Sequence, residues 1–428
     1  MKPWKRTGEP VKYAGVYRRN LTFVWIAELL AIMGFSSTHP IYTYYIQYLG
    51  APDHLVARWS GVVISVSSLS MGVMGPIWGA LGDRHGRKIM VMRAMFGGAF
   101  IIGLMGFVQT VGQFALLRFI QGALTGTVTA ATALVASTTP RERLGETLGK
   151  LQLAIFLGQA FGPTTGGFVA DTLGYRATFW LTAAYLIVAG VLILTQVQET
   201  FTPSEEALKG SIWQRMGQDF SVIFAGSLLG LVLGLRFALR VGLQLTSPTM
   251  PLIVQELMPQ SGLLGSASGL LTTVSGISSA LAAPTVGRWA DRGNSRHLLI
   301  GGAFLAAAAM ICQGLAHHYW LLIAGQFLLG LGIGGTLAVI SAYIGRMAPE
   351  GRVGTAFGLD ALAVSLAGAV GPTAGGWLSD TVSRRSPLYI GGLAMALAGL
   401  AVLRLPQIGP ATEEAATVEH SEAEARPA

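Results

Sequence analysis

Five ionisable residues stand inside otherwise apolar stretches: Glu28, Arg118, Arg236, Arg240 and Asp360. Charges in such surroundings are expensive to bury and usually mark ion or substrate chemistry. Glu28 lies in Trp25-Ile-Ala-Glu28-Leu-Leu, about 10 Å along a helix from the start of its apolar run at 1.5 Å per residue. Arg236 follows 208 residues later in a matching stretch. An acid and a base at matched positions can form an ion pair that breaks and reforms, and a carboxyl whose neighbour changes between two states can carry a proton. The plainer reading is a static ion pair. Tyr42, Tyr45, Gln121, Gln244, Thr246, Gln313 and Gln326 add polar groups at the same depths. Taken singly, each bonds helix to helix more readily than it holds a ligand. His39, beside Pro40, reads as a residue near the end of its segment.

Enzyme chemistry is not spelled out. The histidines (His39, His54, His85, His297, His317, His318 and His420) form no H-E-x-x-H or histidine box. There is no G-x-S-x-G, and no G-x-x-x-x-G-K-[ST] loop to cradle a nucleotide's phosphates. The chain is therefore expected to be neither an enzyme nor an ATP-driven pump, to need no cofactor, and to draw energy from an ion gradient. The single cysteine, Cys312, rules out an intramolecular disulfide and any multi-cysteine metal site.

Hydrophobic residues make up 52% of the 428 and charged ones only 12%, with mean hydropathy +0.55. A soluble chain carries about 25% charge, so most of this one has no means of facing water. Glycine, at 57 residues, lets helix backbones approach where no hydrophobic effect drives association. Apolar segments fall at about 21–47, 59–81, 89–108, 113–136, 149–171, 176–197, 225–255, 266–290, 298–316, 319–345, 354–379 and 386–405. Each can cross a bilayer, which takes about 20 apolar residues. The first and seventh contain Pro40 and Pro248/Pro251 and are expected to kink there.

Loop charge sets the orientation. With the N-terminus in the cytoplasm, Lys2, Lys5, Arg6, Lys12, Arg18 and Arg19 lie inside, joined by Arg84, Arg87, Lys88, Arg141, Arg143, Lys150, Lys209, Arg215, Arg292, Arg296, Arg346 and Arg352. The opposite face holds only Arg58, Arg176, Arg384 and Arg385. The net charge of +8 is thus a topology signal and not a nucleic-acid footprint. Arg18-Arg19 is read as flanking the first span, since the run that follows is too long for a signal core. The expected organisation is a cytoplasmic segment at 1–20, a six-helix bundle at 21–197, a cytoplasmic linker at 198–224, a second bundle at 225–405 and a disordered cytoplasmic tail at 406–428.

The halves repeat at an offset of 208–209. Gly79-Ala-Leu-Gly-Asp83-Arg84-His-Gly86-Arg87-Lys88 after the second segment is echoed by Gly287-Arg-Trp-Ala-Asp291-Arg292 after the eighth. Gly158-x-x-x-Gly162-Pro163-x-x-Gly166-Gly167 in the fifth is echoed by Gly371-Pro372-x-x-Gly375-Gly376 in the eleventh. Thr139-Pro140-Arg141 reappears as Ala348-Pro349-Glu350. The fold class is therefore an all-α membrane protein of twelve transmembrane helices in two pseudo-symmetric six-helix bundles. Parallel repeats of this kind place a substrate site near the bilayer midplane, between halves that rock.

Over about 21–405 the chain resembles the major facilitator superfamily, and within it the twelve-helix drug:proton antiporters of multidrug efflux. The residues that carry this are the Gly79–Lys88 loop, Arg118-Phe-Ile-Gln121-Gly122 and the Gly158–Gly167 antiporter-type element. The eleventh-segment copy departs from the family, being nearly as complete as the first where many members have a degenerate one. The resemblance implies that the first and seventh segments line a central cavity, with Glu28, Tyr42, Tyr45, Arg118, Gln121, Arg236, Arg240, Gln244 and Gln326 as candidate lining residues. It implies a conformational latch built from Gly79, Asp83, Arg84, Gly86, Arg87, Lys88, Asp291 and Arg292. Asp83 would hold the outward-facing state against the eleventh helix, whose positive end suits a carboxylate. It implies proton coupling through Glu28, Arg118 and Asp360. Arg118 stays protonated and would tune a carboxylate. Asp360 is expected rather to pair with Arg84 or Arg87. The glycine-proline elements would form the interface between halves. The implied function is proton-coupled efflux of small amphipathic compounds by alternating access. The alternative is a dedicated exporter or importer of one metabolite, such as a sugar or an organic acid. With three buried positive charges against two negative, neutral, zwitterionic or anionic cargo is at least as well suited as lipophilic cations. The expected partners are substrate, protons and the lipid of the cell membrane, and a monomer suffices because one chain holds both halves.

Overall fold

A computed structural model describes residues 10–139, 143–199, 227–348 and 353–405. The expected linker (apart from Gln198 and Glu199), the tail, Arg352 and the side chains of Asp83 and Asp291 lie outside the described residues. Hydrocarbon offers no partner to a backbone N–H or C=O, so a single chain crosses it by satisfying those groups within helices. Among the described residues, twelve helices are long and apolar enough to do so: α1 (Tyr17–Tyr48), α2 (Asp53–Gly82), α3 (Arg87–Met105), α4 (Val111–Ala136), α5 (Leu144–Leu173), α6 (Tyr175–Gln196), α7 (Leu228–Leu257), α8 (Leu264–Trp289), α9 (Arg292–Gly314), α10 (Tyr319–Met347), α11 (Ala356–Thr381) and α12 (Ser386–Arg404).

The prolines break the helices where the sequence predicts. α1 tightens into a 3-10 turn at His39–Ile41 before helix resumes at Tyr42. α7 interrupts after Leu245 and restarts at Met250 with Pro251 in its first turn. A third break carries no proline. α4 stops at Leu124 and resumes at Thr127, with Gly126 at φ +124, a conformation open to glycine.

Each half packs around its own core. Met95, Ile102, Phe114 and Phe179 are fully buried in the first, and Leu299, Met310, Leu322 and Tyr343 in the second. Between halves, α2 lies along α11 and α5 along α8. Ser65 Oγ meets Thr373 Oγ1 at 2.7 Å, and Thr164 Oγ1 meets Thr273 Oγ1 at 2.8 Å. The contacts run from Arg58 and Asp380 to Gly72 and Ser365 on one side, and from Asp171 and Gly265 to Ala160 and Gly276 on the other. Beyond these points, Gly75 and Gly79 of α2, Gly149 of α5, Gly287 of α8 and Gly358 of α11 have nothing within 4 Å of where a side chain would begin. Among the described residues the halves are sealed at one end and parted at the other, which is the end of the Arg84–Lys88 loop.

Candidate functional site

Glu28 sits on the α1 face turned to the break in α4. Its side chain is 0% exposed, and neither carboxyl oxygen has a hydrogen-bond partner. Thr127, the first residue of helix after the break, is the polar group that faces it, short of hydrogen-bond geometry. The break follows from Gly126 and leaves that helix start without a side-chain cap.

Arg236 does not pair with Glu28. Its Nε stands 3.1 Å from Asp360 Oδ1 and its Nη2 donates to Asp360 Oδ2 at 3.3 Å, while Nη1 donates to the Leu337 carbonyl at 3.2 Å. This corrects two expectations together, because Asp360 is thereby turned toward α7 and not toward Arg84 or Arg87. The cause is topological: α7, α10 and α11 are neighbours inside the second half, and matched repeat positions need not touch.

Arg118 is held by neutral groups. It donates to Tyr42 Oη at 3.0 Å, to Gln121 Oε1 and to the Val63 carbonyl at 3.4 Å. Its guanidinium carbon lies 4.5 Å from the Tyr42 ring centre, within cation–π reach. Tyr42 Oη continues to Thr38 Oγ1 at 2.9 Å, and the His39 ring lies 5.8 Å from that of Tyr42. His39 is itself exposed, nine residues from the Tyr48 end of α1 and within electrostatic reach of Arg118.

Arg236, Arg240 and Gln244 form an i, i+4, i+8 stripe on α7. Among the described residues Arg240 has no hydrogen bond or ion pair, and its Nε is sealed from solvent although the residue as a whole is partly exposed. Gln244 is also partly exposed, and its Cβ packs where a Cβ on Gly371 would come within 2.6 Å.

Two candidate lining residues turn inward to their own bundles. Tyr45 is 0% exposed and donates to the Met105 carbonyl at 2.7 Å among Phe114 and Phe179. Gln326 donates to Gln313 Oε1 at 3.0 Å, where both are buried within the second half. Helix periodicity alone does not say which polar face meets a cavity and which meets a neighbouring helix.

At the expected latch, Gly86 takes φ +100 and starts α3 without a side-chain cap of its own. Glu199 supplies one instead, accepting from the Arg87 N–H at 3.0 Å and the Lys88 N–H at 2.8 Å. Lys88 Nζ donates to the Leu194 and Val197 carbonyls. Arg87 and Lys88 therefore tie the loop to α6 of the same half. The glycine-proline elements divide their task. A Cβ at Gly158 or Gly162 would come within 2.8 or 2.7 Å of Ile32 or Ser36 on α1, inside the first half. Gly167 with Gly265 and Gly376 with Ala57 form backbone contacts between halves.

The sealed end holds residues that sequence reading missed. The regular helix of α2 begins after Leu55, and α8 begins after Leu263, neither of which offers a side-chain cap. Each helix is capped from the opposite half. Asp171 accepts from the Gly265 N–H at 2.9 Å and the Ser266 N–H at 2.7 Å. Asp380 accepts from the Arg58 N–H at 3.0 Å, with Arg58 Nε at 3.8 Å. The two carboxylates are 209 residues apart, the offset of the repeat, and that was the signal available. Tyr44 Oη donates to the Pro251 carbonyl and meets Ser268 Oγ, both at 2.8 Å. Gln47 donates to Gln255, its own repeat equivalent, at 3.1 Å, which puts the pair on the pseudo-twofold axis. Arg93 was also missed: its guanidinium stacks 3.6 Å from the Trp78 ring centre.

Comparison with known proteins decides the family. The family model described as Major Facilitator Superfamily matches residues 24–239 and 232–427. The chain belongs to the major facilitator superfamily. It is 30% identical over 385 residues to the multi-drug resistance efflux pump PmrA of Streptococcus pneumoniae, covering 90% of this chain and 95% of that one. It is 32% identical over 330 residues to the multidrug resistance protein MdtG of Dickeya zeae, covering 77% and 80%. Solved structures agree in fold. The nucleoside transporter NupG superposes with a TM-score of 0.71 at 15% identity, over 90% of this chain and 99% of that one. The human organic anion transporter MFSD10 superposes at 0.66 and 19% identity over 90% and 99%. This is a multi-pass membrane transporter, as the resemblance implied.

Proposed function

We propose that this transporter exports small amphipathic compounds in exchange for protons, by alternating access, across the cell membrane with both termini in the cytoplasm. The observation that carries the reading is a carboxyl, Glu28, buried without a partner on a helix of a molecule whose halves are sealed at one end and parted at the other. The relatives named as multidrug efflux proteins support the direction and the breadth of cargo. The arginine-rich parted end supports an inward-facing state.

Burying a bare carboxylate costs far more than burying the neutral acid. Glu28 in this state is therefore suited to hold its proton. Rearrangement around the α4 break that admits water or a cation would let it go. Arg118, bonded to Tyr42 and Gln121, supplies a fixed positive charge on the same half. Asp360 balances Arg236 and takes part in coupling only if that pair opens. Because one chain contains both halves, the working unit is a monomer.

The test is proton movement in proteoliposomes with cationic, neutral and anionic compounds, for wild type and Glu28→Gln. Substrate-driven proton release that disappears in Glu28→Gln, with substrate still bound, is the expected result. Wild type that moves no protons with any compound would overturn the antiport.

A further inference from the structure

The buried charges fall into two groups. Arg236 is matched by Asp360 in a two-pronged pair, and Arg118 is satisfied by a phenol, an amide and a backbone carbonyl. Arg93 also has nitrogens without a hydrogen bond but is stacked on Trp78, whereas Arg240 has neither a hydrogen bond nor a ring partner among the described residues. Arg240 lies about mid-way along α7, one turn from Arg236, with no acceptor for its guanidinium among the described residues. Asp360 is the acidic group in its electrostatic surroundings, and that carboxylate is already paired with Arg236, accepting on Oδ2 with Oδ1 3.1 Å from Nε outside hydrogen-bond geometry.

An unsatisfied guanidinium at membrane depth is not a packing device. It forgoes its hydrogen bonds to water and gains none in return, which costs more than a methionine of similar reach would. Its Nε is sealed while the residue keeps partial exposure, and one turn on the Gln244 amide lies beside Gly368, where Ser68 of the opposite half also packs, so the stripe runs toward the meeting of the halves. Gln244, next along the stripe and also partly exposed, adds an amide that can donate or accept. A planar fork with free donors is matched by a planar or tetrahedral oxyanion, which it can bind through two parallel hydrogen bonds.

We propose that Arg240 anchors the acidic group of the transported compound, so that the preferred cargo is an organic anion: an apolar body carrying a carboxylate, phosphonate or sulfonate. This rests on the transporter reading above and narrows it to a substrate class. The anion supplies the countercharge that the protein withholds. When the site empties, Arg240 is again unpaired, which favours the return of the halves without cargo only after a replacement charge or water reaches it.

The experiment uses the purified full chain in proteoliposomes with three probes of one shape: biphenyl-4-carboxylate, its methyl ester and biphenyl-4-ylmethylammonium. Binding and uptake are read for wild type, Arg240→Gln and Arg240→Lys. Hydrogen bonds to a charged group are worth about 10- to 100-fold in affinity. Wild type is expected to bind the acid about 10- to 100-fold more tightly than the ester. Arg240→Gln should bring that ratio close to one, and Arg240→Lys should leave it between the two. A wild-type preference for the ester or the ammonium overturns the anchor while leaving the transporter reading intact, and so does an acid-to-ester ratio that Arg240→Gln does not change. Wild type that neither binds nor moves any of the three, with no proton flux, overturns both. The wild-type ratio decides even if Arg240→Gln fails to fold, and Arg240→Lys keeps the charge in a variant of nearly native shape.

Discussion

Replacing Asp171 with asparagine should release the sealed end. The Asp171 carboxylate accepts two backbone N–H groups, at 2.9 and 2.7 Å, in the first turn of α8, a helix that follows Leu263 and has no cap of its own. Those N–H groups are orphans by helix geometry, and the positive end of the helix adds to their attraction for an anion. Asparagine keeps one acceptor oxygen and loses the charge. The loss is therefore that of one charge-assisted hydrogen bond, about 1.5–3 kcal/mol, felt only in the state where α5 and α8 meet. That moves the equilibrium between sealed and parted about 10- to 100-fold toward parting. Asp380, with one backbone hydrogen bond at 3.0 Å and a half-exposed Arg58 at 3.8 Å, should contribute less. The two clamps lie on opposite sides of the axis, so their effects should add. The assay is the rate at which a membrane-impermeant maleimide labels Gln47→Cys in a Cys312→Ser background. Labelling should rise in the order wild type, Asp380→Asn, Asp171→Asn, double variant. A double variant labelled within about twofold of wild type would refute the argument, and the two caps would then be local supports with no hold on the conformation.

Asp360→Asn leaves Arg236 buried and unpaired, and should destabilise the second half by about 3–5 kcal/mol in a denaturation titration. Asp360→Leu with Arg236→Met should recover most of that, and failure to recover would mean that the pair does more than balance charge. Gly166→Ala drives a methyl into the Ser37 backbone on α1, a contact that cannot yield as a side chain would. It should cost about 1–3 kcal/mol by overpacking, read as a lowered midpoint of thermal unfolding. Tyr45→Phe removes the hydrogen bond to the Met105 carbonyl, and should cost about 1 kcal/mol of stability with transport unchanged. A changed substrate profile in that variant would return Tyr45 to the cavity.

Twelve spans, two repeated halves and the breaks at Pro40 and Pro248 were legible from the residues alone, because they follow from local rules. Hydrocarbon demands long apolar helices, and proline removes a backbone donor. Pro76, Pro163, Pro284 and Pro372 nonetheless stand inside unbroken helices, so proline alone does not set a break. The α4 break was not legible: Gly126 is one of 57 glycines, and what sets it apart is a positive φ inside a membrane span, which only the folded chain reveals. The repeat located Glu28 and Arg236 as equivalents but not as partners. Equivalence is a relation between halves, whereas the Arg236–Asp360 bond forms within one. Glu199 was hidden in what read as linker. Asp171 and Asp380 stood at segment ends, where a carboxylate looks like ordinary loop charge until the opposite helix start is seen against it. The sequence by itself determined the number of membrane crossings, the repeat and the inventory of buried charge. Which charges pair, which guanidinium nitrogens are left without a hydrogen bond and which end of the molecule is closed were decided by tertiary packing, since these depend on helix rotation and on the meeting of segments distant in sequence.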